Sequence, residues 1–483
     1  MNASAPGSPI ILRNGLVLTL DDRRTIINRG DVLVVGDRIA AVGEGLSAPD
    51  GALEIDASSG IILPGMIDTH RHMWQTAMRG YGADWTLTQY FVWYYLQFGK
   101  LFRPEDIYAG NYLSALEAID AGVTTSVDWS HGLSSTQHAD AAVDALKAIP
   151  GRFVLAYGNI HQGSWEWSTA PEFRDFINRR ITIGDDMLGF QIAFDLPARA
   201  EGDEWPEKKT FEVARELGVP VTTHAGVWNV TKDDGIKFMY DNGFMGPSNI
   251  YVHAATLTPD SYHRIAATGG SISVSAESEA SCGQGYPSTW EARKYDIPVS
   301  LSNDTSVWWN CDMFAAMRST LNADRTREHF EAHLQGETIT NLAVRAQNAV
   351  EWATRGGAKA LGWDSLVGSL EVGKKADIVL IKNDQSPVMT PIINPYGHVV
   401  YQAQRADVDT VIVNGQIVKR NHVLLAGSVQ KAKETVERTI EYLVSQMGYD
   451  AWASGMNPEI PDQQKRAMDN PYMYTEYKEG AQA

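Results

Sequence analysis

Eight short apolar runs recur between Met66 and Asp304, and stretches long enough for a helix separate most of them. They are Met66–His72, Thr124–Trp129, Arg152–Ile160, Gly189–Asp195, Pro220–Ala225, Ile250–Ala254, Ser271–Ala276 and Pro298–Asp304. Several are near-continuous in Val, Ile, Phe and Thr, the pattern of parallel strands covered on both faces. Parallel neighbours need crossover connections, usually helices. Eight strand–helix units over roughly 250 residues predict an α/β fold, a (β/α)8 TIM barrel.

That architecture gathers its chemistry at the C-terminal ends of the strands. His70 and His72 end the first run two residues apart, a spacing that puts both side chains on one face of a strand. His224 stands at the end of the fifth run, His253 of the sixth and Asp304 of the eighth. One such histidine is equally well explained as a hydrogen-bonded core residue. Five metal-binding side chains at strand ends that meet at one barrel mouth point to a metal site.

These segments resemble the amidohydrolase superfamily, in the branch of cytosine deaminase, guanine deaminase and the chlorohydrolase-like triazine hydrolases. The resemblance rests on Pro64-Gly65-Met66-Ile67-Asp68-Thr69-His70-Arg71-His72, Thr223-His224-Ala225-Gly226, Val252-His253-Ala254, and Ser302-Asn303-Asp304 followed by Asp312-Met313-Phe314. It extends to Gly368-Ser369-Leu370-Glu371-Val372-Gly373-Lys374-Lys375-Ala376-Asp377-Ile378-Val379. The resemblance implies His70, His72, His224 and Asp304 as ligands of one divalent metal ion per chain, most simply Zn2+. The ion would make hydroxide available from water near neutral pH. Asp304 would take the water's proton, and His253 would orient the water or polarise the scissile group. A second ion is not expected, because binuclear relatives carry a lysine at the end of the fourth strand and Gly189–Asp195 has none.

The resemblance also implies that the terminal segments, 1–64 and 365–425, combine into one small β-sandwich beside a barrel of residues 65–364. Both are rich in short alternating strands with turn dipeptides such as Asn14-Gly15, Gly36-Asp37 and Asn414-Gly415. Neither piece alone is long enough to bury a stable core. Residues 426–483 read as a C-terminal extension, with an amphipathic helix over Ser428–Leu443.

Two departures from the branch bear on chemistry. Relatives carry a glutamate three residues after the fifth-strand histidine, where this chain has Val227. Valine carries no proton, so either another acid serves or the reaction needs none. Glu277 and Glu279, just past the seventh run, are candidate substitutes; a solvated loop is the competing reading for both. The second departure is aromatic. Trp74 and Trp85 follow the paired histidines, and Trp228 and Trp309 follow the fifth and eighth runs. With His131 and His161 they are candidates for binding substrate, against the alternative that the indoles only fill the core.

The expected activity is therefore hydrolysis of a C–N or C–halogen bond in a small aromatic or heterocyclic molecule. The alternative is an amide, carbamate, urea or ester hydrolase, and less favoured a decarboxylase. A net charge of −18 argues against nucleic acid or an anionic membrane as partner. Two cysteines make no disulfide framework. No signal peptide or membrane span is visible, so a cytoplasmic enzyme is expected. Homo-oligomerisation is expected by resemblance.

Overall fold

The computed structural model describes residues 8–197, 199, 202–227 and 233–461. Eight parallel strands follow one another in chain order: Met66–Arg71, Val123–Ser130, Arg152–Tyr157, Leu188–Ala193, Val221–Ala225, Ile250–His253, Ser271–Val274 and Val299–Leu301. They are the expected barrel strands one to eight. Their residues are almost all buried, as strands covered by helices outside and side chains inside must be. The ring closes where strand eight returns to strand one. Asp304 N donates to His70 O at 3.0 Å, and His72 N donates to Asp304 O at 2.7 Å. Three prospective ligand positions, His70, His72 and Asp304, therefore lie on the seam itself. Below them, the Thr69 hydroxyl sits 2.8 Å from those of both Ser273 and Ser300, so polar groups inside the barrel satisfy one another.

Arg71 alternates to the outside of strand one, between its two histidine neighbours. There its guanidinium meets the helix Pro104–Asp120, donating to Ser114 Oγ at 2.7 Å and Glu117 Oε2 at 2.8 Å. Glu117 also receives Arg79 and, from the terminal sheet region, Arg405. One buried carboxylate thus ties the barrel, its first loop and the C-terminal segment together.

The two chain ends join in a nine-stranded sheet. The link between them is the antiparallel pairing of Ile61–Pro64 with Ile378–Ile381. Leu12, Val32, Ile62, Ile378, Leu380 and Ile412 belong to its own apolar cluster. Gly36-Asp37 and Asn414-Gly415 are hairpin turns as expected. Asn14-Gly15 is not: it is an irregularity within the strand Ile10–Leu18, where the register shifts between Leu12 and Gly15. Asn14 has φ 59°, and a Cβ on Gly15 would lie 2.6 Å from Ile62, so the pair bends the strand instead of ending it.

The expected tail helix spans Val429–Met447 and begins at Ser428, whose hydroxyl accepts from Lys431 N. A short helix, Tyr449–Ser454, follows. It reaches the loop after strand one, where Tyr81 donates to Trp452 O at 2.6 Å and the Trp85 indole to Gly455 O at 3.1 Å. Among the described residues no helix is long and apolar enough to cross a membrane.

Candidate metal centre

His70, near the end of strand one, and His72, one residue beyond it, meet His224 of strand five and Asp304 after strand eight. Nε2 of His70 lies 3.4 Å from Nε2 of His224 and 3.3 Å from Oδ1 of Asp304. The same Oδ1 is 3.5 Å from Nε2 of His72. Ligand atoms held tetrahedrally at about 2.0–2.1 Å from one ion stand roughly 3.3–3.4 Å apart. The donor set and its spacing fit a divalent transition metal.

The far sides of the rings fix which nitrogen faces inward. His72 Nδ1 donates to Trp129 O at 3.0 Å, and His224 Nδ1 to Asp195 Oδ1 at 2.6 Å. Each Nε2 is left with its lone pair toward the centre. Burial, reinforced by neighbouring imidazoles, holds His70 well below the usual histidine range and His72 down at about 4. Both rings are neutral at pH 7, as ligands must be. Burial alone would raise the Asp304 carboxyl; the His70 hydrogen bond and the surrounding imidazoles hold it well below its ordinary value. Asp304 has φ 58°, outside the range favoured by residues other than glycine. So does His253, at φ 68°. Such backbone is retained where surrounding contacts over-determine it, commonly at functional sites.

His253 stacks nearly parallel to His224, with centroids 5.5 Å apart. Its Nδ1 donates to Glu279 Oε1 at 3.1 Å. His70, His224 and His253 also bring ligand atoms within 4.8 Å of one another.

A cavity opens over the cluster. Tyr90, Phe91, Tyr95, Asp195, Val227, Gln284 and Trp308 line it together with His72, His224, His253 and Asp304. It adjoins a cleft of about 570 Å3, walled by Phe91, Tyr95, Trp129, His131, His161, Trp165 and Asp195 among others. Trp129, near the end of strand two, stacks on His224 at 4.1 Å.

The structure divides the remaining candidates. His131 and His161 line the cleft. Trp74 does not: it is fully buried against Tyr94 and Phe102, and its indole donates to His131 Nδ1 at 3.2 Å. Trp85 packs on Tyr81 and Trp93 beneath the C-terminal extension. Trp309 is tied by its indole to Asn303 O and lines neither cavity; its neighbour Trp308 does. Trp228 lies outside the described residues. Glu277 and Glu279 also line neither cavity. The helix Ala276–Cys282 turns Glu277 toward Asp312 and Arg318; burial and Asp312 push its carboxyl up to about 7. It turns Glu279 beneath His253, fully buried, so that Glu279 reaches the centre only through that ring.

Two polar residues in the cavity carry no clear signal in the sequence. Asp195 ends the fourth apolar run, a position that the resemblance marks only by the lysine it lacks. Gln284 sits in Cys282-Gly283-Gln284-Gly285, and only the flanking glycines hinted at a constrained loop.

Residues 61–418 match a family model described as the amidohydrolase family. A 5-methylthioadenosine/S-adenosylhomocysteine deaminase of Thermoanaerobacter pseudethanolicus is 26% identical over 449 residues, covering 90% of this chain and 99% of that protein. Among solved structures, an adenosine deaminase from Xanthomonas campestris with bound zinc superposes with a TM-score of 0.73 at 19% identity, covering 91% of this chain and 100% of the other. An atrazine chlorohydrolase from Arthrobacter aurescens, complexed with zinc, gives 0.73 at 20% identity, covering 89% and 100%.

Proposed function

The chain belongs to the amidohydrolase family, and from that premise we propose a hydrolase that uses one divalent ion to replace an amino group or halogen on an aromatic heterocycle with hydroxyl. The observation that carries this reading is the convergence of His70, His72, His224 and Asp304 at spacings of 3.3–3.5 Å beneath an aromatic cleft. Zinc, the ion named in both solved relatives, suits three imidazoles and a carboxylate. Bound there, it supplies activated water at neutral pH.

The chain's own residues do the rest. Phe91, Tyr95 and Trp129 offer flat apolar surface to a ring and exclude water from it. Asp304, a carboxylate at pH 7, is placed to accept the water's proton. His253, held by Glu279, presents its other nitrogen to the cavity and stabilises charge developing on the substrate. The deaminase activity of the relative from Thermoanaerobacter supports attack at a ring carbon bearing nitrogen.

One observation favours a second reading. Val227 lines the cavity where relatives of this branch carry a proton-transferring glutamate. Cleavage of an amide, carbamate or ester fits that substitution better than ring deamination. Replacing His70 or Asp304 with alanine tests both readings: bound metal and turnover should vanish together. Turnover by a metal-free Asp304→Ala protein would overturn both.

A further inference from the structure

We propose that Gln284 is a catalytic hydrogen-bond donor, its side-chain amide holding the substrate's reacting group in a cavity where Val227 offers no polar side chain. The inference rests on the function proposed above and deepens it.

Gln284 lines the metal cavity together with His253, Asp304 and Val227, and is only 4% exposed. Its backbone is flanked by two glycines in conformations that other residues rarely adopt. Gly283 has φ 87° and Gly285 φ 134°, and a Cβ on Gly285 would lie 2.7 Å from Ala255 and 2.8 Å from Thr256. The loop therefore presses against the segment after strand six in a conformation open to glycine. The amide is oriented as well. Its Oε1 faces the Ser278 hydroxyl at 3.1 Å, and its Nε2 faces Asp304 Oδ2 at 3.5 Å. The reverse orientation would set a carbonyl oxygen against the Asp304 carboxylate. An amide nitrogen carries two hydrogens, and one contact as long as 3.5 Å to Asp304 leaves donor capacity facing the cavity.

A carboxamide neither gains nor loses a proton in the working pH range. Gln284 thus stabilises a leaving atom or developing oxyanion without carrying a proton to it. This suits a substrate whose leaving group needs no side-chain acid beyond Asp304, and it makes the donor strength independent of pH.

The test uses Co2+-loaded full-length protein titrated with azide, followed by visible absorption, with cobalt content measured on every variant. Wild type should respond to azide, and Gln284→Leu should bind it roughly five- to tenfold more weakly, the loss of one hydrogen bond, with cobalt retained. Gln284→Met, which keeps the length and flexibility of the side chain, should match the leucine variant. On any substrate that wild type turns over, Gln284→Leu should lower kcat more than it changes KM and leave the shape of the pH profile intact. Unchanged azide affinity in either variant, a wild-type spectrum blind to azide, or loss of cobalt in both variants would overturn the proposal; the last would make Gln284 a prop for Asp304. Failure of the parent reading is distinguishable, since it shows as wild type without turnover while the azide titration still reports on Gln284.

Discussion

Asp195 Oδ1 lies 2.6 Å from Nδ1 of His224, so a carboxylate after strand four decides which nitrogen of a strand-five histidine faces the centre. Tyr95 holds the other oxygen at 3.3 Å. Partners of this kind fix the ring and its tautomer, and their loss costs roughly 10–100-fold in metal affinity. Asp195→Ala should weaken metal binding by that factor, read by competition against a chelator, with the fold intact by circular dichroism.

Two aromatic substitutions should part company. Trp74 is fully buried and touches Tyr94, Phe102 and His131. Trp74→Ala should cost about 3–5 kcal/mol of stability in denaturant titrations, the range for emptying a large core site. Phe91 lines both the metal cavity and the cleft. Phe91→Ala should raise KM several-fold with stability much less affected, measured by steady-state kinetics on the same preparation.

The two glutamates after strand seven should also separate. Glu279 accepts from His253 Nδ1 and from Ser275 N. Glu279→Gln should lower kcat by roughly tenfold while metal is retained, because the ring loses the carboxyl group that orients it. Glu277 faces Asp312 and Arg318 instead, and Glu277→Gln should leave kcat within about twofold. A reversed order would place the proton path on the other carboxyl.

Glu117 sets an acid limit on stability. Burial would raise its carboxyl, but Arg71, Arg79 and Arg405 overcome that and bring it from 4.5 to about 2. A depressed folded value stabilises fully above the unfolded value, about 4.5, and is lost as pH falls through the folded value, about 2. The shift corresponds to about 3 kcal/mol. Unfolding free energies between pH 5 and 2 should fall less steeply in Glu117→Gln than in wild type. At pH 7 the variant should be less stable, since Arg71 loses its buried counter-charge.

Much of this architecture is legible in the sequence because buried parallel strands write themselves as apolar runs. His70, His72, His224, His253 and Asp304 stand at the ends of those runs, and barrel closure brings strand ends together. Arg71 lies on the outside of strand one, as its alternation with the two flanking histidines requires. What residue order does not carry is side-chain direction in loops and helices. Trp74 and Trp85 follow the paired histidines in the chain, yet the turn Met73–Met78 and the C-terminal extension bury them. Glu277 and Glu279 stand two apart on one helix and face different surroundings, a difference set by how that helix packs. Asp195 and Gln284 gain their meaning only from the neighbours that the fold supplies.

The most direct test of metal-dependent hydrolysis is mass spectrometry of products formed in 18O-water. Metal-stripped and zinc-reloaded protein would each meet amino- and chloro-substituted heterocycles together with aromatic amides, carbamates and esters. Turnover is expected only in the reloaded protein, with one 18O on a ring carbon and release of ammonia, an amine or halide. Label appearing instead in a carboxylic acid or in carbonate would shift the function to the amide, carbamate or ester reading. Equal turnover by the stripped protein, or none by the reloaded protein across the panel, would contradict metal-dependent hydrolysis.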